Sequence, residues 1–142
     1  MTLPESETAR EESGLSRRAA RRLIQRALVL VGRERNLRQH LRAVHLTSLW
    51  RLDDWDFEWT VTLDRGKILF DRRPTKKPDV TVTWPEAEKF IEWAEKGSGA
   101  DPQKVEGSLE NSRTVEMVCR AFRKSLGDVL QFPFDDDGVR LV

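Results

Sequence analysis

The side chains able to do acid–base, nucleophilic or metal chemistry are few and scattered in this sequence. His40 and His45 are its two histidines. Neither has a cysteine or carboxylate at metal-ligand spacing, so both read as structural. Cys119 is the single cysteine, which excludes an internal disulfide and a multi-thiolate metal site within one chain and fits a reducing cytoplasm. It falls on an apolar helical stripe, where a free thiol behaves as a small inert hydrophobe. Carboxylates occur close together at Asp53 with Asp54 and at Asp56 with Glu58, and Ser125 offers a hydroxyl. No nucleophile elbow, Gly-rich phosphate loop or paired catalytic acid surrounds them. The run Asp135-Asp136-Asp137 reads as a solvated tail rather than a cation site. No catalytic residue, metal or cofactor is therefore assigned. Were the chain an enzyme, His45, Arg51 and Asp54 would be the polar residues to carry its chemistry.

Charge is a stronger signal than any catalytic motif. The whole chain is close to neutral at +1, yet nine arginines (17, 18, 21, 22, 26, 33, 35, 38 and 42) lie between Leu15 and His45 against the single acid Glu34, a local balance of +8. Within that stretch Leu15, Ala19, Leu23, Ala27, Leu30 and Val31 recur every three or four residues, which predicts a helix to about Val31, with Gly32 as its C-cap and arginine on the other face. Such a face suits an anionic membrane surface, with Arg17, Arg18, Arg21 and Arg22 as contacts. It equally suits a protein partner or plain solvation. Nucleic acid ranks last, because no aromatics interleave with the arginines.

The elements that must position these residues are legible mainly through alternation. Trp55, Phe57, Trp59, Val61 and Leu63 alternate with Asp56, Glu58, Thr60, Thr62 and Asp64, predicting a strand with one wet face. Residues 44–52 before it and 67–72 after it complete a three-strand meander through turns at Asp53-Asp54 and Asp64-Arg65-Gly66. Val80, Val82 and Trp84 mark a fourth strand. Pro85 and the acids Glu86 and Glu88 suit a helix start, with Ala87, Phe90, Ile91 and Ala94 as its stripe and Gly97 as its end. Residues 105–111 predict a weak fifth strand, and Val115, Val118, Cys119, Phe122 and Leu126 a closing helix from about Arg113. Residues 1–13 are polar and acidic, without the apolar run of a signal peptide, and are expected to be a flexible tail carrying at most a capping box at Thr8 and Glu11. No stretch approaches a membrane span, so a soluble protein is expected.

This order of elements resembles the sterol carrier protein 2 family. The words that carry the likeness are Trp59-Thr-Val-Thr-Leu-Asp64, Arg65-Gly66, Pro78-Asp-Val-Thr-Val82, Phe90, Gly97, Asp101-Pro102 and Gly107-Ser-Leu109. The chain departs from the family where the last strand ordinarily continues, at Glu110-Asn111-Ser112-Arg113. The resemblance implies an α+β fold, a four- or five-stranded, mostly antiparallel sheet covered on one face by helices, with the basic amphipathic helix added at the N-terminal side. The expected division is a tail at 1–13, the basic helix at 14–36, a lipid-binding domain at 37–130 and a C-terminal tail at 131–142.

The same resemblance implies a hydrophobic small-molecule partner, a lipid, sterol or acyl chain, held between sheet and helices by a carrier or accessory protein. Trp55, Phe57, Trp59, Val61, Val80, Val82, Trp84, Phe90, Ile91, Met117 and Phe122 are the expected lining. Five tryptophans with no tyrosine is a large apolar investment for one small sheet, whether it lines a cavity or fills a core. Trp93 falls off the Phe90/Ile91 stripe and is expected at an exposed rim. An enzyme acting on a hydrophobic biosynthetic intermediate in the same cavity, and an interaction module whose groove takes a partner's helix, are the alternatives.

Overall fold

The computed structural model describes residues 16–142; the expected tail and the capping box at Thr8 and Glu11 lie outside the described residues. Helix α1, Arg17–Gly32, starts at Ser16, whose side chain accepts from the Ala19 amide at 3.1 Å. Its buried face is Ala20, Leu23, Ile24, Ala27, Leu28 and Val31, a stripe rotated from the expected one, with Ala19 and Leu30 at its margins. Gly32 does not stop the helix with a left-handed turn. The backbone runs on through Arg33 and Glu34, which bond back to Leu30 and Val31, into the short helix α2, Arg35–His40.

Five strands follow in a single sheet of spatial order β3-β2-β1-β4-β5, where β1 is His45–Leu52, β2 Phe57–Asp64, β3 Lys67–Asp71, β4 Val80–Trp84 and β5 Lys104–Gly107. Only the β1–β4 pair is parallel; the other three pairs are antiparallel. Register places Trp50 opposite both Trp59 and Val82, so Trp59 and Val82 share one face, as the alternation requires. That face is apolar, and threonines with charged side chains dominate the other. The expected β1–β2 hairpin contains a short 3-10 turn, Asp53–Trp55, followed by Asp56 in a left-handed conformation. Trp55 thus sits in the turn, half-buried, and β2 begins at Phe57.

Helix α3, Ala87–Lys96, begins two residues later than Pro85 suggests. The carboxylate of Asp54 takes the Ala87 amide at 2.9 and 3.1 Å, doing the capping from a distant turn. Helix α4, Leu109–Gln131, starts four residues before Arg113, because Ser108 caps it by accepting from the Asn111 amide; the fifth strand is correspondingly only four residues long. Helices α1, α3 and α4 pack together over the apolar face, so the arginine-bearing helix shares one core with the sheet. The α3–α4 crossing is so close that a Cβ on Gly127 would lie 2.6 Å from the Ala94 carbonyl oxygen. The C-terminal residues turn back through a Phe134–Arg140 bridge, and Asp136 binds both Arg26 and Arg33 of the α1 end.

Candidate functional site

The tryptophan side of the sheet forms a continuous aromatic cluster. Trp50 lies at its centre, with ring centroids 6.1 Å from Trp59 on β2, 5.5 Å from Trp84 on β4 and 5.0 Å from Phe122 on α4, the last edge-on at 82°. Phe90 and Trp93 of α3 close the far side, at 4.9 and 5.6 Å from Trp84. Of the expected lining residues, Trp59, Val61, Val80, Val82, Trp84, Phe90 and Phe122 are brought together here, each no more than 1% exposed. Phe57 is at the margin, with the Arg21 guanidinium 4.8 Å above its ring. Trp55, Ile91 and Met117 are half-buried and pack against the wider hydrophobic core from outside.

Trp93 is not at an exposed rim. It is 4% exposed, because the buried arc of α3 is Ala87, Phe90, Trp93 and Ala94, turned away from Ile91. Its indole Nε1 donates to Asp101 at 2.7 Å, which satisfies the polar end of an otherwise apolar side chain. Arg123 of α4 locks this corner. It donates to the carbonyls of Trp93, Ser98 and Gly99 at 2.8, 2.6 and 3.1 Å and stacks 5.2 Å from the Trp93 ring.

Hydrogen bonding divides the buried indoles. Trp50 Nε1 donates to the Ser48 hydroxyl at 2.9 Å, and that hydroxyl donates to the Val61 carbonyl at 2.7 Å. Trp59 Nε1 and Trp84 Nε1, on either side of Trp50, are buried without an acceptor among the described residues. Folded proteins satisfy the large majority of such groups; the others without a hydrogen-bond partner among the described residues, on Arg26, Arg51 and Gln103, belong to polar side chains outside the aromatic cluster. Ser48 and Arg123 escape a sequence reading, since nothing in their local pattern announces the bonds they make, whereas Asp101 stands in the Asp101-Pro102 word. Asp79 likewise stands in the Pro78-Asp79-Val80 word, and it pins the parallel β1–β4 pair by exchanging bonds with Thr47, amide to carboxylate at 2.9 Å and amide to carbonyl at 2.8 Å.

The polar residues weighed for catalysis do not converge. His45 is exposed at the start of β1 beside Asp64, whose carboxyl is held below its ordinary range by hydrogen bonds from Arg65 and then His45. Arg51, six residues and roughly 20 Å further along the strand, pairs with Asp53 and Glu58. Asp54 is engaged in capping α3. Cys119 is buried in the core, and burial pushes its thiol above the ordinary value, away from the reactive thiolate. Among the described residues no group of His, Cys, Asp and Glu is placed to hold a metal, and no helix is long and apolar enough to cross a membrane. Of the arginines assigned to a membrane or partner surface, Arg17, Arg18 and Arg22 are exposed, without an acidic partner among the described residues, while Arg21 lies over Phe57.

A five-stranded mixed sheet in this order, with helices over its apolar face, is an SCP2-like α+β fold, and this chain has it. It is similar to TT1886 from Thermus thermophilus, a conserved hypothetical protein named as a candidate sterol carrier protein, with a TM-score of 0.50 and 10% identity over 75% of this chain and 85% of that one. It is also similar to UbiJ-SCP2, a ubiquinone synthesis protein (TM-score 0.43, 11% identity, 66% of this chain and 88% of that one). A third likeness is to the inverting sec-alkylsulfatase Pisa1 from Pseudomonas sp. (TM-score 0.44, 16% identity, 57% of this chain), of which this chain spans only 13%. No family profile matches the chain, and no curated protein matches it.

Proposed function

We propose that this chain binds an apolar molecule bearing an acceptor oxygen, such as a sterol hydroxyl or fatty acyl carboxylate, and acts as a carrier or accessory protein. The observation that carries this reading is the pair of buried, unpartnered indole donors, Trp59 Nε1 and Trp84 Nε1, in the aromatic cluster. An acceptor brought in by a guest relieves a desolvation cost of about 1–3 kcal/mol per donor. The guest's apolar body gains roughly 25 cal/mol per Å² removed from water, less the cost of ordering it. Candidate contacts are Trp55, Phe57, Trp59, Val61, Val80, Val82, Trp84, Phe90, Ile91, Met117 and Phe122. Their rings touch one another, so binding requires α3 and α4 to part from the sheet. The likeness in fold to TT1886 supports the reading. In it, Arg17, Arg18, Arg21 and Arg22 are the face that meets an anionic bilayer during loading.

Native mass spectrometry of the protein purified from its source tests this. The expected result is an apolar small molecule that travels with the chain, is removed by delipidation and is replaced on addition of oleate. A bare chain that takes up neither fatty acids nor sterols contradicts it.

A further inference from the structure

A basic recess lies away from the aromatic cluster. Arg35, Arg38, Gln39 and Arg42 on and just after α2, together with Arg65, Gly66 and Lys67 of the β2–β3 turn, line a recess of about 360 Å³. Its shape is fixed by backbone. The Arg65 amide donates to the Val44 carbonyl at 2.8 Å, and the turn comes so close to α2 that a Cβ on Gly66 would stand 3.2 Å from the Arg38 carbonyl oxygen. With φ at +92°, Gly66 also adopts a conformation that few side-chain-bearing residues tolerate. Five cationic residues thus line one concavity. Among the described residues Arg35, Arg38, Arg42 and Lys67 have no acidic partner, and the one carboxylate paired to the lining, Asp64, is shared by Arg65 and His45.

Like charges held together at this density repel one another, and structural needs alone would place acids between them, as they do at Asp136. We infer that the recess is a binding site for a phosphate monoester or diphosphate group, carried either by a soluble ligand or by a lipid headgroup. Arginine forks match phosphate oxygens in pairs, Lys67 adds a point charge and Gln39 a neutral donor. The site is independent of the aromatic cluster and stands or falls without it.

Titration of the full-length protein with inorganic pyrophosphate, followed by amide NMR, is the test of the shared chemistry. Saturable shifts are expected at Gly66, Lys67 and Arg38. Arg38→Gln with Arg42→Gln is expected to weaken binding about tenfold per arginine removed, with a melting temperature that does not fall, since both side chains are exposed and the change relieves repulsion. Arg113→Gln with Arg120→Gln, on α4, is expected to leave it unchanged. Sedimentation with phosphatidylcholine vesicles containing phosphatidic acid separates the sources. Sedimentation that pyrophosphate reverses identifies a headgroup, and pyrophosphate binding without sedimentation identifies a soluble ligand. Vesicle binding lost only when Arg17, Arg18, Arg21 and Arg22 are changed likewise identifies a soluble ligand for the recess. The inference is overturned if pyrophosphate gives no saturable shift or if the Arg38/Arg42 variant binds like the parent.

Discussion

Ser48 shows how much of this molecule rests on single polar atoms inside an apolar face. Its hydroxyl stands between Trp50 Nε1 and the Val61 carbonyl, so removing it strands a buried indole donor. Ser48→Ala is expected to destabilise the fold by about 1–3 kcal/mol in denaturant unfolding; a change within a few tenths would contradict the hydrogen-bond assignment. Nothing in the sequence around Ser48 announces this role, because a serine on an alternating strand reads equally well as an outward-facing residue. Trp93 departs from its expected place for a related reason. Spacing alone leaves the buried arc of a ten-residue helix uncertain by about one residue's rotation, roughly 100°, and the Asp101 carboxylate that makes burial of its indole tolerable lies in a loop.

At the scale of elements, α1 is where sequence and structure differ most instructively. Its arginines draw attention to its outer face, while the six apolar residues on its inner face make it a wall of the core. The C-terminal segment is tied to this same helix end by Asp136, whose carboxyl is held well below the usual carboxylate range by hydrogen bonds from Arg33 and then Arg26. A carboxyl lowered in the folded state contributes stability above the ordinary aspartate value near about 4, and that contribution fades as pH falls below it. The clasp is therefore expected to loosen on acidification, and Asp136→Asn to loosen it at neutral pH. Limited proteolysis of residues 132–142 reads this directly; equal cleavage of parent and variant at neutral pH would show that the clasp holds without the ion pairs. The run Asp135-Asp136-Asp137 reads as solvated in the sequence because the partners of Asp136 lie more than a hundred residues away, a distance no local pattern spans.

For the whole molecule, the five strands, their shared apolar face and the presence of the two later helices, though not their starts at 87 and 109, are legible because alternation and helical period are properties of short windows. The parallel β1–β4 pairing, the close α3–α4 crossing at Gly127 and the capping of α3 by Asp54 are not, since each joins segments far apart in the chain. The candidate site divides in the same way. Its aromatic membership is readable, but its two orphan donors emerge only when Trp50 and Trp93 find acceptors and Trp59 and Trp84 do not. That contrast gives the central claim its sharpest test, a titration with oleate or cholesterol monitored on the indole Nε1–H resonances of isotopically labelled protein. If the aromatic cluster takes a ligand through these donors, the Trp59 and Trp84 signals shift saturably and further than those of Trp50 and Trp93. Signals that stay in place across fatty acids and sterols, or that move equally for all four, would contradict it.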